Sequence, residues 1–334
     1  MSLFPEQTLA RWFPIALSER VRARPRRERF FGIPLVLGRM HDGRAFAMED
    51  RCPHRGVPLS AGKSGPAGLE CAYHGWTFGG DGRCLRMPGA AEGQPLADVR
   101  VPALQVREHG GVVWVSQSAD APLPDRVTAM NPADRRFLWQ SVWQGPIVDV
   151  LENFLDPLHT HLIHPGLVRK AHARAPVTAT LKVAGDGFHV DYVGNEVQSG
   201  WLFKLFESRR VLERAHLSGL GVAQLEYRYA RGWSACITIH CAPETAVTTH
   251  VFATLHVQGR FAPAWLVRLL VWPFLRRVAS QDKAVLAMQT AARPDFPNRR
   301  EIVSPLDITR PYIEAAWSNT PTTLAAERVV VLQL

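Results

Sequence analysis

Two short loops in the stretch Arg51–Phe78, RCPHRGV and CAYHGWTF, each offer one Cys and one His. The first supplies Cys52 and His54, the second Cys71 and His74, with sixteen residues between His54 and Cys71. Two thiolates and two imidazoles on paired loops suit a tetrahedral zinc. They equally suit a two-iron two-sulfur cluster in which two His replace two Cys on one iron. A zinc finger pairs Cys with Cys and then His with His. Here each loop gives one of each, as a cluster with a Cys-bound and a His-bound iron requires. The spacing favours the cluster, and zinc remains the alternative.

The run CPHRG followed by CAYHGW resembles the Rieske domain of the non-haem iron aromatic-ring hydroxylases and related monooxygenases. Respiratory Rieske proteins carry two further Cys in these loops, which form a disulfide. This chain has Val57 and Tyr73 within the loops and no spare Cys in either, so the resemblance is to the oxygenase branch.

The 334 residues are enough for two domains, each with its own core. A hydrophobic fraction of 46% and a charged fraction of 21% are those of a soluble globular protein. Cys84, Cys236 and Cys241 remain after the ligands, and with no export signal they read as free thiols in a reducing cytoplasm. No apolar run is long enough to span a bilayer. The net charge of +9 and six Arg between Arg20 and Arg29 raise nucleic acid as a partner. Neither an aromatic-interleaved platform nor a nucleic-acid motif accompanies them, which excludes that class. A solvated face, a landing site for an acidic electron-transfer partner or an anionic substrate stay open.

The pattern along the chain predicts an α+β protein. Residues 1–118 form an all-β Rieske domain, with hairpins turning at Asp42 and Gly43 and at Gly110 and Gly111. Residues 119–136, rich in Pro, Asp and Ala, read as a linker. Residues 137–334 form a catalytic domain. Val148, Leu151 and Leu155 have helical spacing, ended or restarted by Pro157. Five alternating stretches between 176 and 260 predict an antiparallel sheet. A helix interrupted near Pro273 closes the chain, with Trp265, Leu269, Leu270 and Phe274 packed on the sheet or, among Arg268, Arg276 and Arg277, lying on a membrane surface.

Within the first helical stretch stand Asn153, Asp156, His159 and His164, spaced as in the oxygenases. The resemblance implies that His159 and His164 ligate a mononuclear Fe(II), with His161 beside them on the pocket wall or behind a ligand. It also implies that Asp156 links the Rieske His of a neighbouring subunit to an iron-ligand His, and that the third ligand comes from a C-terminal helix, at Asp282 in QDKAVLAMQ. Asp282 and Gln289 are seven apart and share a helix face, where an inward carboxylate calls for a cationic partner. Asp186, Asp191, Asp295 and Asp307 sit in turn-like contexts and are weaker candidates.

The resemblance implies a helix-grip catalytic domain, in which an antiparallel sheet wraps a long helix. It further implies the terminal oxygenase of a Rieske system, a homotrimer acting with O2 on a small hydrophobic substrate, aromatic or polycyclic. Monooxygenation and oxidative demethylation are favoured over the work of a two-subunit ring dioxygenase. Electrons would come from an NAD(P)H-dependent reductase or a ferredoxin, because no dinucleotide fingerprint or plant-type ferredoxin motif is present. Trp201, Phe203, Phe206, Tyr227 and Trp233 are candidates for the pocket wall. The other class is a Rieske electron carrier whose C-terminal half binds a ligand without a mononuclear iron.

Overall fold

The computed structural model describes residues 6–8, 10–91, 94, 98–170, 172, 174–194, 209–259, 263–318 and 324–334. They divide into two compact units, one within 1–123 together with 242–246, the other within 124–241 and 247–334.

The first unit is all β. A six-stranded sheet runs in the order β1 (Phe13–Leu17), β10 (Val112–Ser116), β9 (Ala103–His109), β4 (Ala45–Glu49), β3 (Ile33–Arg39), β2 (Arg26–Phe30). A four-stranded sheet runs β5 (Lys63–Gly65), β6 (Gly68–Glu70), β7 (Thr77–Phe78), β8 (Cys84–Arg86). The two hairpin turns expected from the sequence fall between β3 and β4 and between β9 and β10. The loops bearing the Cys and His pairs leave β4 and β6. Their thiols lie in a core shared with Val36, Phe46, Leu59, Leu69 and Phe78, all buried. Part of the Arg-rich run becomes β2, where Arg27 pairs with the buried Asp50 at 3.1 Å and Arg29 donates to the Gly32 carbonyl at 2.9 Å.

The second unit is built on one eight-stranded antiparallel sheet. Its order is β11 (Arg135–Gln144), β17 (Thr248–Gln258), β16 (Ser234–Pro243), β15 (Val222–Tyr229), β14 (Arg210–Ser218), β13 (Gly187–Val193), β12 (Pro176–Ala184), β18 (Glu327–Gln333). Three of these strands, β11, β14 and β18, go beyond the stretches the sequence pattern picks out. In β14 the buried residues include Arg210, Glu213 and His216, so polar side chains face inward and blur the alternation. At the C-terminal end, β18 pairs along β12 from Val177↔Leu332 to Lys182↔Glu327. A strand, and not the expected helix, therefore closes the chain.

Helix α1 (Ile147–Leu155) buries Ile147, Val150, Leu151 and Leu155, a stripe at i, i+3, i+4 and i+8 that turns one face to the sheet. Pro157 ends it, and after a single extended residue, Asp156, a short turn α2 (Thr160–Ile163) follows. Helices α3 (Ala264–Leu270) and α4 (Trp272–Ala292) break at Val271, with Pro273 in the first turn of α4, where its missing N–H costs nothing. In α3 only Val267 is buried. Trp265, Leu269 and Leu270 are exposed, contrary to the expectation that they pack on the sheet. No helix among the described residues is long and apolar enough to cross a membrane.

An ionic clamp fixes α1. Asp149, in its first turn and 3% exposed, is paired with Arg293 and, at 2.8 Å, with Arg310 on α5 (Arg310–Ser318). Arg310 also holds Glu152 of α1 at 2.6 Å. A carboxylate in the first turn suits the helix dipole, and two guanidinia compensate its burial. Asp149→Ala is expected to lower stability by about 2 kcal/mol in urea unfolding followed by circular dichroism, because it removes two charge-assisted hydrogen bonds while Arg293 and Arg310 keep Glu301 and Glu152. A loss below about 0.5 kcal/mol would class the clamp with surface ion pairs.

Candidate metal centres

The two Cys/His loops of the first unit are closed by the same backbone bonds. The Cys52 N–H donates to the Val57 carbonyl at 2.9 Å and the Cys71 N–H to the Trp76 carbonyl at 2.8 Å, each five residues on. The Gly56 N–H returns to the Cys52 carbonyl at 2.8 Å, and the Gly75 N–H to the Cys71 carbonyl at 3.1 Å. Both glycines take positive φ, +76° and +67°, which only Gly adopts without strain. The base of the first loop is tied by Asp50, which accepts from the Ser60 N–H and hydroxyl, both at 2.7 Å.

This construction sorts the four donors. Cys52 and Cys71 are 3% exposed and close enough to hydrogen-bond one another. The imidazoles of His54 and His74 lie nearer the surface, with ring centroids 4.5 Å apart. Trp76 stacks flat on His54 at 4.6 Å, and the exposed Tyr73 packs on His74 at 3.8 Å. His54 Nδ1 is buried without a hydrogen-bond partner. Burial, then His74 and Arg55, hold this imidazole below its ordinary pKa and so in the neutral form a metal needs. Two thiols inside and two imidazoles outside fit a cluster with one Cys-bound and one His-bound iron.

In the second unit, the two ends of α2, at His159 and His164, meet α4, so residues more than a hundred positions apart come together. His159 Nε2 and His164 Nε2 stand 3.5 and 3.0 Å from Asp282 Oδ1. All three donor atoms lie within 4.8 Å of one another, the one such group of three among the described residues. His164 Nε2 and Asp282 Oδ1 are buried without hydrogen-bond partners despite their proximity, so their lone pairs converge on a point between them. That is the donor set of a two-His one-carboxylate metal site. The partner of the buried Asp282 is this imidazole pair, where the sequence led us to expect a simple cation.

Each imidazole is oriented from behind. His159 Nδ1 faces Asp156 Oδ2 at 3.4 Å. Asp156 is itself fixed by the Leu158 N–H at 2.9 Å and keeps about a third of its side chain in solvent (30%). Burial opposes charge on His159, but Asp156 and Asp282 together outweigh it and raise the pKa. His164 Nδ1 donates to Gln281 Oε1 at 3.0 Å, which leaves Nε2 as the lone-pair nitrogen. Gln281 was invisible as a site residue in the sequence, although its place beside Asp282 in QD was the available signal. His161 is fully buried and is not on the cavity wall. Its Nδ1 bonds the Lys170 carbonyl at 3.0 Å, tying the following loop. Of the weaker candidates, Asp191 pairs with Arg214, Asp307 accepts from the Ser304 N–H, and Asp186 and Asp295 are exposed.

The triad opens into a cavity of about 180 Å³. Asn153 and Asp156 border it, as do Trp139 and Trp143 of β11, Trp272 and Leu275 of α4, and alternate residues of β15 and β16 such as Tyr227 and Ile237. Tyr227 is thus where the sequence suggested. Trp233 instead stacks on Tyr229 at 3.8 Å, away from this cavity, and Trp201, Phe203 and Phe206 lie outside the described residues. The missed aromatics of β11 carried a signal, the period-two run Phe137, Trp139, Ser141, Trp143.

Comparison with known proteins bears on both centres. Residues 11–105 match the Rieske [2Fe-2S] domain, and residues 143–309 match the vanillate O-demethylase oxygenase C-terminal domain. Over 165 residues the chain is 34% identical to the 3-chlorobenzoate-3,4-dioxygenase oxygenase subunit of Comamonas testosteroni, covering 46% of this chain and 37% of the relative. It is 32% identical over 160 residues to the phthalate 4,5-dioxygenase oxygenase subunit of Pseudomonas putida, covering 46% and 36%. The chain thus spans well under half the length of these curated relatives. Dicamba monooxygenase bound to 3,6-dichlorosalicylic acid superposes with TM-score 0.78 at 20% identity, covering 93% of this chain and 97% of that one. NdmA of Pseudomonas putida CBB5 with caffeine gives 0.74 at 21% identity, covering 92% and 90%. These likenesses show the two-part α+β fold, with its N-terminal Rieske unit and C-terminal antiparallel sheet.

Gln281→Ala frees the His164 ring and is expected to weaken Fe(II) binding by about 10- to 100-fold in an anaerobic titration, leaving the visible spectrum of the first unit unchanged. Unchanged Fe(II) affinity would mean that the Gln281 bond does not set the tautomer.

Proposed function

The chain belongs to the Rieske non-haem iron oxygenase family, and on that premise we propose that it is the terminal oxygenase of a Rieske system. In this reading it inserts oxygen from O2 into an aromatic substrate by monooxygenation or oxidative demethylation. The observation that carries the proposal is the convergence of His159, His164 and Asp282 at the end of an apolar cavity. A ligand-binding domain in a mere electron carrier has no use for three converging donors, two of them buried without a hydrogen-bond partner.

Cys52, His54, Cys71 and His74 would hold the [2Fe-2S] cluster, and His159, His164 and Asp282 a mononuclear Fe(II). When bound, a ferrous ion with two imidazoles, one carboxylate and open positions supplies the oxygen chemistry, which is the cofactor's own. The protein supplies placement. Asp282 and Gln281 come from one turn of α4, so the carboxylate ligand and the bond that orients His164 are set by one backbone segment. Asp156 orients His159 and holds the proton on its Nδ1, leaving Nε2 toward Asp282. The partly exposed Asp156 is also the place where a Rieske imidazole of a neighbouring subunit would meet this one, which is why the proposal includes a homotrimer. The outward-facing His54 and His74 mark the side for an NAD(P)H-dependent reductase or ferredoxin. With Cys52 and Cys71 as cluster ligands, the free thiols of Cys84, Cys236 and Cys241 agree with a cytoplasmic setting.

The aromatic walls exclude water and hold a flat ring. A 180 Å³ cavity compares with the apolar cavity of about 150 Å³ that admits benzene, so it suits a single substituted ring better than a polycyclic one.

His159→Ala is expected to abolish product formation while the visible spectrum of the cluster stays that of the wild type. Unaltered turnover would remove the mononuclear site from the account. Asp156→Asn is expected to leave both metals bound and to slow reoxidation of the reduced cluster in a single turnover by at least about tenfold. A wild-type rate would rule out Asp156 as the link between subunits.

A further inference from the structure

We propose that α3 and the first turns of α4 form a docking face that lays this protein on the surface of an anionic lipid bilayer. The face is the outer side of the helical pair whose inner side, through Trp272 and Leu275, lines the cavity. Its affinity for lipid is independent of the chemistry proposed there.

Helix α3 is anchored to the core by one residue. Val267 packs with Phe137, Leu255 and Val257, and the following Val271, Trp272 and Leu275 lie against the same cluster. Trp265 and Leu269 each stand two residues from Val267, about 160° round the helix, and so point away from the core together. They are 66% and 64% exposed, and Leu270 beside them is 46% exposed. Single apolar residues on a surface need no explanation. A Trp and two Leu on one helix of seven residues form a patch, and such patches mark contact with something other than water.

The charges around the patch say what that something is. Between Pro263 and Gln281 the only charged residues are Arg268, Arg276 and Arg277. All three are exposed, and among the described residues none of their guanidinia makes an ion pair or a hydrogen bond. Arg293 and Arg310, by contrast, are engaged with carboxylates. Unpaired guanidinia beside exposed Trp and Leu fit an anionic lipid surface on both counts. Lipid phosphates accept from the guanidinia, the arginine stems lie along apolar surface, and Trp settles at the boundary between acyl chains and head groups. A helical face of this kind lies in the interface without crossing it, in keeping with the lengths of the described helices. A second copy of this chain is a poorer match, because patch against patch brings like charges together with no carboxylate between them.

The test is cosedimentation of the metal-loaded protein with vesicles of phosphatidylcholine alone and of an equimolar mixture with phosphatidylglycerol. The wild type is expected to partition at least about tenfold more strongly into the anionic vesicles and to lose that excess as salt screens the lipid charge. Two double variants, Trp265→Ser with Leu269→Ser and Arg276→Gln with Arg277→Gln, are each expected to cut binding to the anionic vesicles by at least about tenfold. Brominated acyl chains are expected to quench the fluorescence of the bound wild type. Trp265→Phe, which keeps the patch apolar, is expected to bind as before and to lose most of that quenching. No binding, equal partitioning into both vesicles, binding without quenching, or a loss in only one of the double variants would overturn the docking face. Dissociation of a lipid-free oligomer by Trp265→Ser with Leu269→Ser, seen by analytical ultracentrifugation, would also overturn it and assign the patch to a second copy.

Discussion

Three donor atoms from distant parts of the chain converge in the second unit, and most of that unit is arranged to keep them there. Two imidazoles and a carboxylate packed within 4.8 Å, with two of their atoms unsatisfied and buried, are unfavourable by themselves. The structure holds them by three independent means. A clamp at Asp149 fixes α1, the helix that leads to His159. Gln281 and Asp282 ride on α4, whose Lys283 reaches Ser141 of β11 at 2.9 Å and whose Leu286 enters the core. The turn from His164 to Arg169 is closed on itself by backbone bonds. Donors held this rigidly meet the requirement of a preorganised metal site, whose ligands are positioned before the metal arrives.

The first unit answers a different requirement. Its two loops repeat one backbone solution, so the thiols are drawn into the core and the imidazoles are left near the surface. Burial of the sulfur side and exposure of the nitrogen side gives a one-electron centre a defined outer face, with Trp76 and Tyr73 flanking it. Charge follows the same division of labour. The basic excess of the chain is partly spent inside, at Arg169, Arg210, Arg293 and Arg310, where guanidinia compensate buried carboxylates and one of them borders the cavity.

Much of this was legible in the sequence where chemistry fixes spacing. That holds for the Cys-x-His and Cys-x-x-His loops, whereas the His159 and His164 pair and Asp282 were implied by the family resemblance, and the structure brings these three within 4.8 Å of one another. What stayed hidden has physical causes. Strand β14 buries Arg210, Glu213 and His216, so it lacks the apolar alternation by which strands are recognised. The last strand, β18, is an edge strand whose exposed Val329 and Val331 give a continuous apolar run that does not reveal its face. Gln281 acts through its contact with His164, and sequence spacing alone does not show a hydrogen bond. The aromatic wall was expected from strands after residue 200, whereas much of it comes from β11 and α4.

The most direct test is the iron and acid-labile sulfide content of the anaerobically reconstituted chain, with Mössbauer spectra to sort the iron. A two-iron two-sulfide cluster together with one further high-spin ferrous ion, lost on replacing Asp282 with Ala, is the predicted result. A cluster alone, with no ferrous ion taken up at His159, His164 and Asp282, would contradict the account.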